Sequence, residues 1–310
     1  MLRWLVLTLL LTLTHMSSMG RTAAAKAAKK IALVTGATDG IGQLTSKLLA
    51  VHSYQVLVHG RSQERIENAG KLLKSEVPGA DIILLKPYDL SSIEQSKELA
   101  NHVLETIGTN GGLDLLVNNA GVFTGTDNRI LTVDGLELTF QVNVVAPFVL
   151  FNMLMPLLRK TSQSRIINVS SISQGGRILD KEYFPSMSSE CSSDGCFSTH
   201  GAYSHSKLCM AALNHELARR ITAGDSLCLS CDPGTVNTKM LIAGWGRCGI
   251  NVKDATTQFE LSTMPFDPAD HGKYFVGSRR ESKCCADVYD DEIRLTLWNT
   301  LENLTGVTLY

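Results

Sequence analysis

The sequence predicts an α/β fold, a single doubly wound domain with a mostly parallel sheet flanked by helices. Three observations predict it. From Ile31 onward, short apolar runs alternate strictly with helix-length segments, the order that lays parallel strands side by side. The runs are nearly continuous rather than alternating, as in strands buried on both faces. A glycine-rich turn, Thr35-Gly36-Ala37-Thr38-Asp39-Gly40-Ile41-Gly42, separates the first run from the first helix, where such folds cradle phosphate.

Size and charge agree with this class. A chain of 310 residues with 44% apolar content can build one large core. A net charge of −1 gives no electrostatic footprint for nucleic acid.

The elements follow in order. Ile31 to Thr35 is a strand ending at glycine, and Leu44 to Ala50 is a helix. The strand Gln55 to His59 leads into a charged helix, Gln63 to Glu76. Strand Asp81 to Lys86, helix Ile93 to Ile107 and strand Leu113 to Asn118 come next. Gly135 to Arg159 is a long helical stretch in which Pro147 and Pro156 mark bends or ends. Arg165 to Ser170 is the fifth strand, Ala202 to Ile221 a helix, and Ser226 to Cys231 the sixth strand. A loop, the strand Lys273 to Val276 and an amphipathic helix from about Asp290 to Leu304 complete the chain. No internal repeat is present, so residues 31–310 read as one Rossmann-type domain.

The N-terminus stands apart. Arg3, the apolar run Trp4 to Leu13 and the small residues Ser17, Ser18 and Gly20 read over 1–20 as a signal peptide. The run is short for the ~20 residues of a membrane span, which leaves a short signal-anchor as the alternative. Residues 21–30 form a basic spacer with Arg21, Lys26, Lys29 and Lys30. It would stay cytoplasmic if the run is not cleaved. The expected location is the secretory pathway or endoplasmic reticulum, membrane-associated or lumenal. An organellar transit peptide is the other option, since no acid precedes Asp39.

The eight cysteines show no metal-ligand spacing with the histidines, and no metal site is expected. Cys228 and Cys231 lie in a strand at an odd offset, which points them to opposite faces as core residues. Cys191 and Cys196 could pair in an oxidising compartment. Cys284-Cys285 carries no reading.

Tyr203 and Lys207 stand four residues apart on a predicted helix, one above the other. A neighbouring ammonium favours the phenolate and is expected to lower the Tyr203 pKa from its usual ~10. A tyrosine so tuned can exchange a proton with a substrate oxygen. Ser171 lies upstream, after a strand. The second strand ends in His59-Gly60-Arg61-Ser62 with no acid until Glu64. An acid there would bond a ribose 2′-hydroxyl, whereas an arginine accommodates a 2′-phosphate. NADP(H) is therefore expected over NAD(H).

Together, Thr35 to Gly42, Asn118-Asn119-Ala120-Gly121, Ser171, Tyr203-x-x-x-Lys207 and Pro233-Gly234 resemble the short-chain dehydrogenase/reductase family. The similarity runs from about Lys30 to Gly306 and is greatest to the branch of retinol dehydrogenases and related membrane-associated reductases. The resemblance implies a catalytic set of Asn143, Ser171, Tyr203 and Lys207. Ser171 rather than Ser170 would bond the substrate oxygen, and Asn143 would hold a water behind the lysine. Lys207 would bond the nicotinamide ribose, beside Tyr203. The cofactor would also meet Gly36, Thr38, Asp39, Gly40, Ile41, Gly42 and Arg61, with Asp89 on the adenine amino group. Asn118, Ala120 and Gly121 would close the adenosine side. Pro233, Gly234, Val236 and Thr238 would line the nicotinamide.

The implied activity is NADP(H)-dependent interconversion of a carbonyl and an alcohol on a small, lipophilic molecule, retinoid-, steroid- or lipid-aldehyde-like. A non-catalytic dinucleotide-binding scaffold and a C=C reductase like the protochlorophyllide reductases are the alternatives. The Ser-rich insertion Ile178 to Thr199 is expected to act as a substrate-side lid. Trp245, between Gly244 and Gly246 on a loop, is expected over an apolar cleft. The sequon Asn303-Leu304-Thr305 would matter only in a lumen, and Asn168-Val169-Ser170 is discounted as buried strand. Membrane association rests on the N-terminal segment alone, and a homo-oligomer is left open.

Overall fold

The computed structural model describes residues 29–126, 128–176, 197–277 and 280–309. The signal, anchor and spacer readings at 1–28, the lid residues 178–196 and the Cys191/Cys196 pair lie outside the described residues.

Eight strands form one sheet: β1 (Ile31–Val34), β2 (Gln55–Val58), β3 (Ile82–Leu84), β4 (Leu115–Asn118), β5 (Arg165–Val169), β6 (Leu227–Asp232), β7 (Tyr274–Val276) and β8 (Arg280–Ser282). Their order is β3-β2-β1-β4-β5-β6-β7-β8. All neighbours run parallel except β7 and β8. The strand order reverses between β1 and β4, which opens a crevice at the carboxyl ends of the strands.

Period-two alternation divides each strand between two cores. Leu33, Leu57, Leu116, Ile166 and Cys228 face one layer of helices. Val34, Val58, Val117, Ile167 and Cys231 face the other. The two thiols of Cys228-x-x-Cys231 thus lie on opposite faces, both free and buried.

The helices are α1 (Gly40–Val51), α2 (Gln63–Glu76), α3 (Ile93–Ile107), α4 (Leu138–Leu158), α5 (Thr199–Arg220), α6 (Lys239–Trp245), α7 (Thr257–Thr263) and α8 (Asp291–Thr305). Side-chain oxygens at Asp39, Ser62, Ser92, Ser198, Thr238 and Asp290 cap their first turns, which fixes where each begins. The Asp39 cap starts α1 at Gly40, ahead of the expected Leu44. Helix α4 is long and apolar enough to cross a membrane, yet it is buried in the protein and is a core helix.

Two features differ from the sequence reading. The loop expected between the sixth and seventh strands contains α6 and α7. The edge strand β8 folds back antiparallel on β7. In α8, Asn303 of the sequon is exposed, while the Thr305 hydroxyl is buried and donates to Leu301 O at 2.7 Å.

Candidate active site

A cleft of about 680 Å³ runs along the carboxyl ends of β1 to β6. Every sequence-predicted cofactor residue lines it except Asn118. At its floor the chain turns out of β1 through Gly36 (φ +66) and Gly40 (φ +55), conformations that L side chains rarely adopt. A Cβ on Gly42 would fall 2.3 Å from Asn119 Nδ2 and 2.4 Å from Gly36 O. Only glycine fits there, which lets α1 pack tightly against the turn out of β1 and the end of β4.

Asn118 is a correction. It ends β4 facing into the sheet, where Asn118 Nδ2 donates to Asn168 Oδ1 at 2.8 Å. Asn168 Nδ2 in turn donates to Asn214 Oδ1 at 3.0 Å. Strand alternation gives the cleft to Asn119 instead. Its Nδ2 donates to Thr35 O at 2.8 Å, and its Oδ1 accepts from Gln258 Nε2 of α7 at 3.0 Å. The sequence reading gave neither Asn119 nor Gln258 a role. Strand alternation carried past the end of β4 would have found Asn119.

The proposed catalytic residues converge on the far half of the cleft. Helix α5 carries Tyr203 and Lys207 on its cleft-facing side, and both line the cavity with Ser171. Ser171 acts on the Tyr203 phenol, favouring its ionised form against the effect of burial. Lys207 Nζ donates to Val169 O at 2.9 Å and lies 5.5 Å from the Tyr203 ring centroid. Ser170, the other candidate serine, turns away and donates to Lys207 O at 2.7 Å.

Asn143 lies behind this group, off the cavity wall. Its Nδ2 donates to Ser206 Oγ at 3.0 Å and to Val122 O at 3.1 Å, and its Oδ1 accepts from Val122 N at 2.8 Å. It occupies a π turn, Gln141–Val145, inside α4. The residue four positions on is Pro147, which has no N–H for the Asn143 carbonyl. The widened register follows from that missing donor and presents Asn143 to the Val122 loop.

The electrostatics reverse one expectation. Burial pushes the Tyr203 phenol up to about 12, with Ser171 opposing and the Asp232 carboxylate adding to the rise. Burial also brings Lys207 down to about 8. Desolvation outweighs the attraction expected from the lysine, because both groups are removed from water.

Cations gather at the β2 end. Arg61 and Arg65 line the cleft, and Arg65 Nη2 pairs with Asp39 Oδ2 at 3.0 Å. The same Asp39 oxygen accepts from Lys239 Nζ at 2.6 Å, across the cleft from α6. Asp89 faces the cavity, with Oδ1 accepting from Ser91 N at 3.0 Å. His59, also missed in the sequence, is buried between two loops. Its Nδ1 accepts from Gly36 N at 3.3 Å and its Nε2 faces Tyr88 O at 3.1 Å.

Aromatic rings close the other end. Trp245 ends α6 rather than riding on a loop, and packs on Phe123 at 4.5 Å and Tyr203 at 5.8 Å between centroids.

A glycine cradle with no room for a Cβ, a helix N-terminus and two arginines suit a phosphorylated dinucleotide. The comparisons agree with this architecture. Residues 30–180 match the family model for short chain dehydrogenase. Mouse retinol dehydrogenase 14 is 30% identical over 302 residues, covering 90% of this chain and 86% of that protein. Human polyprenol dehydrogenase is 26% identical, covering 90% and 86%. An NADPH-bound carbonyl reductase from chicken fatty liver shares the fold, with a TM-score of 0.63 at 24% identity over 82% of this chain and 98% of that one.

Proposed function

Since the chain belongs to the short-chain dehydrogenase/reductase family, we propose that it is an NADP(H)-dependent oxidoreductase interconverting a carbonyl and an alcohol on a small lipophilic molecule. The observation that carries this reading is the meeting of Ser171, Tyr203 and Lys207 in the cleft whose floor is the glycine turn. The names of the retinol and polyprenol dehydrogenases it resembles and the apolar Trp245 end support a lipophilic substrate. The bound nicotinamide would supply or accept the hydride.

The protein's own residues have separate tasks. Ser171 and Tyr203 polarise the carbonyl oxygen as charge builds on it. A phenol at about 12 is a stronger acid than an alcohol, whose hydroxyl resembles water at ~15.7. Proton transfer from Tyr203 to the developing alkoxide is therefore downhill. Lys207 holds a positive charge below about 8 and positions the ribose side. Asn143 fixes the Val122 loop and reaches α5 through Ser206. The α1 N-terminus and Arg61 hold the phosphates. An endoplasmic reticulum setting accords with the apolar N-terminal run.

A panel of aldehydes, ketones and alcohols run in parallel with NADPH and NADH tests the reading. Turnover with NADPH on a carbonyl or alcohol is the expected result. Activity only on an activated C=C bond, or cofactor binding without any turnover, favours the reductase or scaffold alternatives. Arg61→Asp should weaken NADPH about 30-fold, the ~2 kcal/mol of a charged hydrogen bond, and leave NADH almost unchanged. Equal wild-type efficiency with both cofactors would remove Arg61 as the selector.

A further inference from the structure

Ser170 stands outside the Asn143, Ser171, Tyr203 and Lys207 set, and its role rests on the oxidoreductase reading above. It directly follows β5 and is 1% exposed. A hydroxyl in so dry a place needs a partner. Ser170 Oγ donates to Lys207 O at 2.7 Å, a carbonyl in the interior of α5. Inside a helix such a carbonyl already accepts from the N–H four residues on. It has a second lone pair, and Ser170 fills it. The extra bond adds nothing to the run of the helix. It fixes where the helix sits against the strand.

The residues beside Ser170 act on the same place. Val169 O accepts from Lys207 Nζ at 2.9 Å, so two successive residues hold the tip and the backbone of one lysine. Ser171, next in the chain, lines the cleft with Tyr203 and Lys207. Ser170 is itself anchored to the sheet, because its N–H donates to Cys231 O of β6 at 2.7 Å. Deeper in the sheet, Asn168 Nδ2 donates to Asn214 Oδ1 at 3.0 Å, about two turns along α5. That bond holds the middle of the helix, whereas Ser170 grips it beside the reacting groups.

We propose that Ser170 is a positioning residue, whose hydroxyl on Lys207 O sets the height of the Tyr203–Lys207 face of α5 above Ser171. Without that bond, β5 holds this level of α5 through the flexible lysine tip, and the phenol is free to shift. A displacement of about 1 Å at reacting groups can cost on the order of 100-fold in rate. Lys207 O keeps its helical partner when the hydroxyl is removed, so no buried acceptor is left bare and the fold is spared.

The test uses Ser170→Ala and Tyr203→Phe, singly and together, with NADPH and 2′,5′-ADP as binding probes. The second probe covers the adenosine half, remote from Lys207. Ser170→Ala should lower kcat about 10-fold or more, with substrate KM nearly unchanged. In the Tyr203→Phe background the same change should cost less than about 3-fold, since a misplaced phenol no longer matters. Ser170→Ala should also weaken NADPH about 5-fold, through the proposed Lys207 contact to the nicotinamide ribose, and leave 2′,5′-ADP unchanged. Wild-type kcat in Ser170→Ala overturns the proposal, and so does an equal loss in both backgrounds. Loss of 2′,5′-ADP binding overturns it too, by making Ser170 a fold residue. The binding arm needs no turnover. If wild type turns over nothing in the panel, the oxidoreductase reading fails, and an unchanged NADPH affinity in Ser170→Ala would then overturn the positioning role separately.

Discussion

At the residue scale the spacing of Tyr203 and Lys207 carries their identity, but the sign of the shift comes from burial. No sequence pattern reports how much water a folded site excludes, so an ammonium four residues away read as the dominant influence. The consequence is measurable. Carbonyl reduction needs the neutral phenol and the charged lysine, and Lys207 loses its charge as pH rises through about 8. The kcat for reduction should therefore fall on the alkaline side of that value. Tyr203→Phe, which lacks the proton, should lose at least ~100-fold at every pH while still binding NADPH. A flat profile to pH 10 would refute the lysine assignment. His59 gives the second residue-scale case. A carbonyl can only accept and an amide N–H can only donate, so Nε2 carries the hydrogen toward Tyr88 O and Nδ1 is bare toward Gly36 N. The ring must be neutral, and burial holds its pKa at about 4, down from 6.5. Protonation then favours the unfolded chain. Stability is complete above about 6.5 and falls as pH drops toward about 4, by ~3 kcal/mol in all. His59→Gln should lack that slope in urea melts across this range. If variant and wild type lose stability in parallel, the histidine does not act this way. Nothing around His59 in the sequence distinguishes it from a surface strand-end residue, because its partners lie 23 and 29 positions away.

At the element scale the long strands and helices were legible because both-sided burial and helical periodicity leave patterns in sequence. Helices α6 and α7 were not, since seven residues give two turns and no sustained period. The π turn in α4 was half legible. Pro147 announced a bend, but only the fold shows that the bend presents Asn143 to Val122. Helix α6 carries Trp245 and closes on Phe123 through Gly244, at the end of the cleft proposed to take the substrate. A Cβ on Gly244 would lie 2.6 Å from Phe123 Cε1, too close for either ring or helix to stay in place. Gly244→Ala should push α6 outward and enlarge the aromatic end. The expected effect is a rise of severalfold in KM for a bulky carbonyl, with the affinity for 2′,5′-ADP unaltered. A KM that stays put while adenosine-side binding falls would mean that α6 serves the cofactor rather than the substrate.

At the scale of the whole molecule the cleft exists only when distant parts of the chain have assembled. Gln258 reaches from α7 to Asn119 and to Thr45, at sequence separations of 139 and 213. Lys239 meets Asp39 across 200 residues. Asn119 holds the glycine turn across 84. An unfolded chain brings none of these together, so a dinucleotide that needs them binds the native state alone. Mass action then makes the ligand a stabiliser, by ~2.7 kcal/mol at a concentration of 100 Kd. For a domain of this size each kcal/mol moves Tm by roughly 2–4 °C. NADPH at that concentration should thus raise Tm by about 5–10 °C. In the proposed reading the 2′-phosphate would meet Arg61, so NADH at the same concentration should produce a clearly smaller rise. Arg61→Asp should reduce the NADPH shift to that of NADH. Differential scanning fluorimetry with the two cofactors on wild type and variant gives the answer without knowledge of the substrate. Equal shifts with both cofactors in wild type would dismiss the preference for NADP(H), and no shift with either would dismiss the dinucleotide cleft itself.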